Sequence, residues 1–265
     1  MKGLICYFST TGNTKLVCQY LASRISSISL ELFDIKEKQI LDLSSYDIIG
    51  LATYADFLAP PLLIRNFIRS LPMQAGKPAF VLNTYGNING QTLLSLKQLA
   101  KLQGFKVVAG YALNTPENYP PLVAGGLANT RFPTQVQLEE FQKFIMNLEQ
   151  LGITLAQGGT LREAHLDLDL MNRLIPPLPR FLGQKLMGEK MVDQLACTKC
   201  GLCVKSCPYQ AIEMREEPYF DEKKCAACWS CYNHCPTKAI YTKKLKGKGH
   251  YSEPGVELRE KLTIE

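Results

Sequence analysis

The chain has 265 residues, which suffices for one sizeable domain and one small domain. Its hydrophobic content of 46% and charged content of 20% are ordinary for a globular protein, and no segment offers the roughly 20 apolar residues of a transmembrane helix. The net charge of +6 is modest, and without a broad basic face or a recognition motif it argues against nucleic-acid binding. The first apolar run is too short for a signal-peptide core, so we expect a cytoplasmic protein.

Apolar strands and amphipathic helices alternate over residues 1–158. We predict strands at Gly3–Phe8, Leu30–Ile35, Tyr46–Thr53, Ala79–Asn83 and Lys106–Leu113. Helices are predicted at Asn13–Ile25, Pro61–Leu71, Gln91–Leu102 and Thr134–Leu151. This alternation is typical of an α/β domain with a parallel sheet and helices on both faces.

The loop after the first strand is a candidate anion site, with the sequence Ser9-Thr10-Thr11-Gly12-Asn13-Thr14. Hydroxyl groups and free backbone N–H groups at a helix start bind phosphate readily, and a glycine permits a tight turn. The chain has no G-x-x-x-x-G-K-S/T loop and no G-x-G-x-x-G after a strand, which argues against a nucleoside triphosphate or a dinucleotide. The same residues would also serve as an ordinary helix cap.

The motif Ser9-x-Thr11-Gly12-x-Thr14 resembles the phosphate loop of flavodoxins, which bind FMN. Over the domain 1–158 this resemblance implies a doubly wound, five-stranded parallel sheet of order 2-1-3-4-5, with the flavin at the carboxyl ends of the strands. It also implies two flavin-binding loops, formed by Thr53, Tyr54 and Ala55 after the third strand, and by Asn83, Thr84, Tyr85, Gly86 and Asn87 after the fourth. Tyr54 and Tyr85 are the candidates for contact with the flavin ring.

Two features depart from short flavodoxins: the acidic surface is missing, and a long insertion, Asn114–Pro133, precedes the last helix. We expect the insertion near the flavin edge, where it either shields the ring or shapes a substrate pocket. Residues 159–190 are predicted to be a helical linker, in which prolines interrupt an amphipathic pattern. A clamp between two domains is favoured over a segment that lies on a membrane.

Two copies of the pattern C-x2-C-x2-C-x3-C-P lie in residues 191–241, predicted to be a small α+β domain of the ferredoxin type. This pattern is typical of bacterial 4Fe–4S ligation, in which the fourth cysteine of one copy ligates the other cluster. We therefore predict one cluster on Cys197, Cys200, Cys203 and Cys235, and another on Cys225, Cys228, Cys231 and Cys207. Zinc explains only two C-x2-C pairs, and disulfides do not suit a chain without a secretion signal.

Residues 242–265 are predicted to be a basic tail. Lys238, Lys243, Lys244, Lys246 and Lys248 lie close together with no acidic residue among them. They form either a solvated extension or a docking patch for acidic redox proteins.

As a whole, the chain resembles the flavodoxin–ferredoxin fusion proteins of anaerobic bacteria and archaea. The resemblance implies an electron-transfer iron–sulfur flavoprotein that holds FMN and two 4Fe–4S clusters, with electrons passing within one chain or between the subunits of a homodimer. A carrier between partner proteins and a flavin-dependent reductase of a small molecule both remain open, as does a scaffold without flavin. The sequence shows no nicotinamide motif and no acid–base or nucleophile constellation, which favours the carrier.

Overall fold

A five-stranded parallel sheet forms the N-terminal part of the chain. The computed structural model describes residues 1–37, 42–166, 172 and 176–263. The strands are β1 (Lys2–Tyr7), β2 (Ser29–Asp34), β3 (Ile48–Tyr54), β4 (Pro78–Tyr85) and β5 (Lys106–Asn114). Their order is β2-β1-β3-β4-β5 and every neighbouring pair is parallel, so the predicted flavodoxin-like fold is confirmed.

Helices cover both faces of this sheet because its inner strands are apolar on both sides. The helices are α1 (Asn13–Ser23), α2 (Leu62–Ser70), α3 (Thr92–Leu102), α4 (Pro120–Ala124) and α5 (Gln135–Ala156). One hydrophobic core joins α1 and α5 to the sheet, and a second core joins α2 and α3 to the opposite face. The short helix α4 lies within the predicted insertion.

The cysteine-rich part forms a small domain of short elements around its own core. They are α6 (Arg180–Met187), β6 (Met191–Val192), α7 (Leu202–Ser206), β7 (Ile212–Met214), β8 (Pro218–Phe220), α8 (Ser230–Asn233) and β9 (Ile240–Tyr241). The strands pair as β6–β9 and β7–β8, both antiparallel. Met187, at the end of α6, is buried in this core, whereas Phe181 is 65% exposed. The interdomain clamp predicted for 159–190 therefore packs with only part of its apolar surface, and its central residues lie outside the described ranges.

The predicted basic tail is not free over its described residues. Helix α9 (Val256–Lys261) returns to the N-terminal domain, where Leu258 and Leu262 are 0% and 1% exposed in the core beside α1 and α5. These leucines are four residues apart and therefore share one face of the helix. The prediction of a basic tail, which was based on the lysines, did not use this spacing. We call residues 249–262 the strap. No helix in the part of the chain that the structure describes is long and apolar enough to span a membrane.

Replacing Leu258 by alanine tests whether the strap is part of the fold. Because the side chain is fully buried, we expect Leu258→Ala to lower the free energy of unfolding by about 2–5 kcal/mol in urea denaturation followed by circular dichroism. The control is Val256→Ala, in the same helix but 64% exposed, which should change stability by no more than about 0.5 kcal/mol. Equal midpoints for both variants would show that α9 is not docked.

Candidate functional site

The eight cysteines of the two repeats surround two separate cavities. The outer cavity is lined by Cys197, Cys200, Cys203 and Cys235, and the inner cavity by Cys207, Cys225, Cys228 and Cys231. Each cavity thus receives three cysteines from one repeat and the fourth from the other, the grouping expected for crossed ligation. No three His, Cys, Asp or Glu side chains in the described ranges are placed to hold a single metal ion.

The two repeats fold alike because the same backbone contacts recur in each. The N–H of Cys197 donates to the carbonyl of Asp193, and that of Cys225 donates to the carbonyl of Asp221, both at 2.9 Å. Beyond each fourth cysteine, a backbone N–H donates to its sulfur: Ala211 to Cys207 at 3.3 Å and Ala239 to Cys235 at 3.2 Å. Such N–H···S contacts stabilise thiolate ligands of iron–sulfur clusters and tune their potential.

The environments of the two cavities differ. Cys200 of the outer cavity is exposed, and the N–H of Leu202 lowers the pKa of its thiol. In the inner cavity Cys231 is buried, and this burial raises the pKa of its thiol well above the ordinary value. A buried thiolate there needs a compensating positive charge, as iron would supply. The outer cavity therefore faces solvent, and the inner cavity faces the N-terminal domain.

A cleft of about 260 Å³ lies between the inner cavity and the loops that follow β3 and β4. Its walls from the N-terminal domain are Thr10, Tyr54, Ala55, Asp56, Phe57, Leu58, Asn87 and Ile88, together with Glu117, Asn118, Tyr119 and Leu122 of the insertion. Its walls from the rest of the chain are Leu178, Met187, Ala227, Cys228, Trp229 and Asn233. Cys228 lines both the cleft and the inner cavity, as do its neighbours Ala227 and Trp229, so these three residues separate the two.

A polar cavity of about 50 Å³ adjoins the cleft at the start of α1. Thr10, Tyr54 and Glu117 are among the residues that line both spaces. The polar cavity is also lined by Ser9, Thr11, Asn13, Thr14, Thr84, Tyr85 and Gly86. Most of the predicted loop residues therefore line one continuous space.

Hydrogen bonds between loops hold the hydroxyl groups of this polar cavity. The hydroxyls of Thr14 and Thr84 lie 2.9 Å apart, both almost fully buried. The side-chain amide of Asn118 donates to the hydroxyl of Thr11 at 2.7 Å. The insertion thus completes the first loop, which the flavodoxin resemblance did not indicate.

Gly12 is required for the turn and does not line either space. Its φ is +97°, and a Cβ atom there would lie 2.8 Å from Cδ of Pro254 in the strap. The N–H of Gly12 donates to the hydroxyl of Ser9 at 3.1 Å. The direct contact between Gly12 and a ligand stays a prediction, and the structure adds that Gly12 lets the strap cross the loop.

Thr53 and Asn83, also predicted as flavin-binding residues, are fully buried beneath the loops and line neither space. Both residues end predicted strands, and β3 continues to Tyr54 and β4 to Tyr85, so both belong to the sheet. The amide of Asn83 donates to the side-chain oxygen of Asn89 at 2.7 Å, which braces the loop after β4. Their role is therefore to support the loops.

Aromatic side chains that the sequence prediction did not combine connect the two domains across the cleft. The ring of Tyr119 makes edge contacts with Phe57 and with Trp229, each at 6.1 Å between centroids. Trp229 in turn contacts Tyr232 at 5.1 Å. Tyr85, a predicted ring contact, lines the polar cavity, whereas Tyr54 lines both spaces.

Polar contacts from the small domain and the strap reinforce this arrangement. The amide of Asn233 donates to the carbonyl of Asn118 at 3.2 Å. The hydroxyl of Tyr251 donates to the side-chain oxygen of Asn13 at 2.8 Å, and the amide of Asn13 donates to the carbonyl of Pro116 at 3.1 Å. The side chain of Asn13 is thereby occupied, which leaves the backbone at the start of α1 to face the polar cavity.

Glu117 holds the insertion beside the cleft. One carboxylate oxygen accepts the N–H groups of Asn118 and Tyr119, each at 3.0 Å. The other accepts the N–H and the side-chain amide of Asn87, at 3.1 and 2.9 Å. Four donors thus stabilise the charge of this carboxylate, and the loop after β4 is tied to the insertion.

Comparisons with known proteins agree with the two-part architecture. Residues 196–239 match the family model described as a 4Fe-4S dicluster domain. No curated protein matches the chain significantly. The C-terminal part is therefore a 4Fe–4S dicluster domain, and the strand order identifies the N-terminal part as flavodoxin-like. The predicted combination of these two domains is confirmed.

Solved structures similar to the chain include two flavodoxins and an oxidoreductase. A flavodoxin from the domain Archaea is 18% identical over 58% of this chain and 99% of its own, with a TM-score of 0.43. The two-electron reduced flavodoxin of Megasphaera elsdenii is 22% identical over 42% and 85%, with a TM-score of 0.36. The rubredoxin oxygen:oxidoreductase of the anaerobe Desulfovibrio gigas is 14% identical over 58% and 36%, with a TM-score of 0.42.

The crossed grouping of cysteines makes a paired prediction. Cys207→Ala should remove the cluster of the inner cavity, and Cys235→Ala should remove the cluster of the outer cavity. Each variant should then retain about four of the about eight irons of the wild-type protein. Trp229, the only tryptophan, lines the inner cavity, and a cluster quenches nearby indole fluorescence. We expect the larger recovery of fluorescence in Cys207→Ala. The opposite ranking would contradict the crossed assignment.

Proposed function

We propose that this protein is an electron-transfer iron–sulfur flavoprotein that passes electrons between two 4Fe–4S clusters and one FMN. The observation that carries the proposal is the position of Cys228, which lines both the inner cysteine cavity and the cleft at the carboxyl ends of β3 and β4. In a doubly wound sheet these strand ends form the ligand site. On this proposal, the cluster site and the flavin site share one wall.

The donor sets support the clusters. Each cavity presents four cysteine sulfurs, the set that cubic iron–sulfur clusters require. A cubic cluster keeps its four thiolates farther apart than a single ion does, in accord with cysteines that surround cavities instead of meeting at a point.

The polar cavity and the cleft together suit FMN. The buried hydroxyls of Ser9, Thr11 and Thr14, with the N-terminus of α1, would hold the phosphate. The aromatic residues Tyr54, Phe57, Tyr119 and Trp229 would hold the ring in the cleft. The indole N–H of Trp229 is buried without a hydrogen-bond partner among the described residues, so a bound acceptor would satisfy it.

The protein's own contribution is to fix the separation of these sites and to exclude water. When bound, FMN accepts one or two electrons, whereas each cluster transfers one at a time. Tyr119 and Trp229 close the cleft between the domains. Asn233 and Tyr251 tie the inner cysteine loop and the strap to the flavin loops. The two domains are therefore held by direct contacts, unlike domains on a flexible tether.

The carrier is favoured over the reductase because the walls of the cleft leave little room. Together the cleft and the polar cavity lie near the lower end of the roughly 300–1,000 Å³ typical of small-ligand pockets. One flavin would take up most of this space. The alternative, a flavin-dependent reductase of a small molecule, is supported by the insertion residues Glu117, Tyr119 and Leu122 in the cleft wall.

An acidic redox protein remains our proposed partner for the lysines of residues 243–248. All four are exposed. Lys246, however, pairs with Asp193 at 2.7 Å, and the ammonium of Lys244 donates to the carbonyl of Leu186 at 3.0 Å. Lys243 and Lys248 are therefore the members of this run with the most freedom to meet a partner.

FMN binding can be tested at Gly12. Gly12→Asp should weaken FMN binding at least tenfold, because its side chain would meet Pro254, strain a residue at φ +97° and add negative charge beside the anion site. Gly76→Asp is the matched control, since Gly76 has φ +78° but open space around it. Quenching of FMN fluorescence on titration measures both affinities. Equal affinity in the two variants, or no FMN binding by wild-type protein, would contradict the site.

Coupling between the sites can be tested by anaerobic rapid mixing with limiting dithionite. In wild-type protein we expect cluster absorbance to recover as flavin absorbance falls. Cys207→Ala should slow flavin reduction at least tenfold relative to Cys235→Ala, because only the inner site shares a wall with the cleft. Clusters that stay reduced while a flavin of higher potential stays oxidised would contradict the proposal. Saturable turnover of a small molecule, unaffected by loss of protein partners, would favour the reductase.

A further inference from the structure

A buried lysine lies against the inner cysteine cavity and has no role in the site as described so far. Lys190 is 7% exposed and lines this cavity. Its ammonium nitrogen lies 5.0 Å from the centroid of the Trp229 ring, a cation–π contact. No carboxylate lies within salt-bridge distance of it among the described residues, and Glu222 accepts only its backbone N–H, at 3.4 Å. Lys190 also lines an open cavity with Glu189, Glu216, Glu217 and Glu222, but its charge acts on Cys231 of the inner cavity, and an ammonium stabilises a negative group in such a place.

The internal repeat supplies a comparison for this position. Lys190 precedes Cys197 by as many residues as Pro218 precedes Cys225. Because the ligands cross, Lys190 of the first repeat lines the inner cavity, and Pro218 of the second repeat lines the outer cavity. Equivalent positions thus present an ammonium to one cavity and a proline to the other.

The outer cavity is also lined by a lysine, but its charge is more strongly screened than that of Lys190. Lys199 is the charged residue that lines it within the described part of the chain, and this lysine is exposed to solvent. Water and salt screen an exposed charge, whereas a buried charge acts at a low effective dielectric. Of the two lysines that line these cavities, only Lys190 is buried, so its charge is the less screened of the two.

We propose that Lys190 raises the reduction potential of the inner cluster, so that electrons arriving at the outer, solvent-facing site move inward to the cleft. This inference rests on the proposed function. Reduction adds one electron and one negative charge at the inner site as the outer site loses one electron, with no proton transferred. Lys190 stabilises the added charge directly, and it offsets the penalty that burial imposes on the more negative state.

Potentiometric titration followed by EPR tests the inference on the full, anaerobically reconstituted chain. Lys190→Met keeps the length of the side chain and removes the charge. It should lower the midpoint of the inner cluster by about 59 mV or more, which is a tenfold change for a one-electron couple. Lys190→Arg should keep the wild-type midpoint, and Lys243→Met, which removes an exposed lysine, should change neither cluster. Titration in the Cys235→Ala background assigns the signal to the inner site.

The reciprocal variant covers the case in which Lys190→Met fails to assemble the inner cluster. Pro218→Lys places an ammonium at the equivalent position of the outer cavity and should raise the midpoint of the outer cluster. If Lys190→Met has its full iron content, an unchanged midpoint of the inner cluster would overturn the role of Lys190. If Lys190→Met does not assemble, an unchanged midpoint of the outer cluster in Pro218→Lys would overturn it. Absence of labile sulfide in wild-type protein would instead overturn the proposed function, so the two failures are distinct.

Discussion

The indole of Trp229 is the contact on which the relation between the two domains depends. Trp229 follows the second cysteine of its repeat and has φ +61°, a left-handed conformation that the first repeat assigns to Gly201. A bulky residue there costs on the order of 1–3 kcal/mol. Burial of the indole against Tyr119 and Tyr232, at 3% exposure, offsets that cost. Backbone strain in the inner cysteine loop is therefore compensated by packing that presses this loop against the cleft.

The insertion and the strap reinforce the contact of Trp229 from two sides of the cleft. Asn118 donates to Thr11 in the first loop and accepts from Asn233 in the small domain, so one residue joins three parts of the chain. Tyr251 secures Asn13 from the other side, and Leu258 anchors the strap in the core. Opening the cleft would break the contacts of Asn233 with Asn118 and of Trp229 with Tyr119, so these contacts oppose separation of the two domains.

Local patterns predicted the local structure well, and failures occurred where one domain meets the other. Alternation of apolar strands and helices indicated the α/β class, and the resemblance of the Ser9–Thr14 loop to that of flavodoxins implied the sheet order. Cysteine spacing was sufficient for the grouping around two cavities. The cleft was not predictable because Phe57, Tyr119 and Trp229 are distant in sequence and share no periodicity. Thr53 and Asn83 end predicted strands that continue to Tyr54 and Tyr85, so both residues lie within the sheet and line neither space.

Duplication of a cysteine motif by itself yields two equivalent sites. Electron transfer in one direction requires that the environments of the two sites differ. The two copies here share their hydrogen bonds to sulfur and their backbone turns, so the ligand geometry does not distinguish them. The difference arises at two pairs of equivalent positions. Trp229 in place of glycine attaches the inner site to the cleft, and Lys190 in place of proline supplies its positive charge. Because these two residues contact each other at 5.0 Å, removing the indole would also free the ammonium, and position and charge are coupled in this structure.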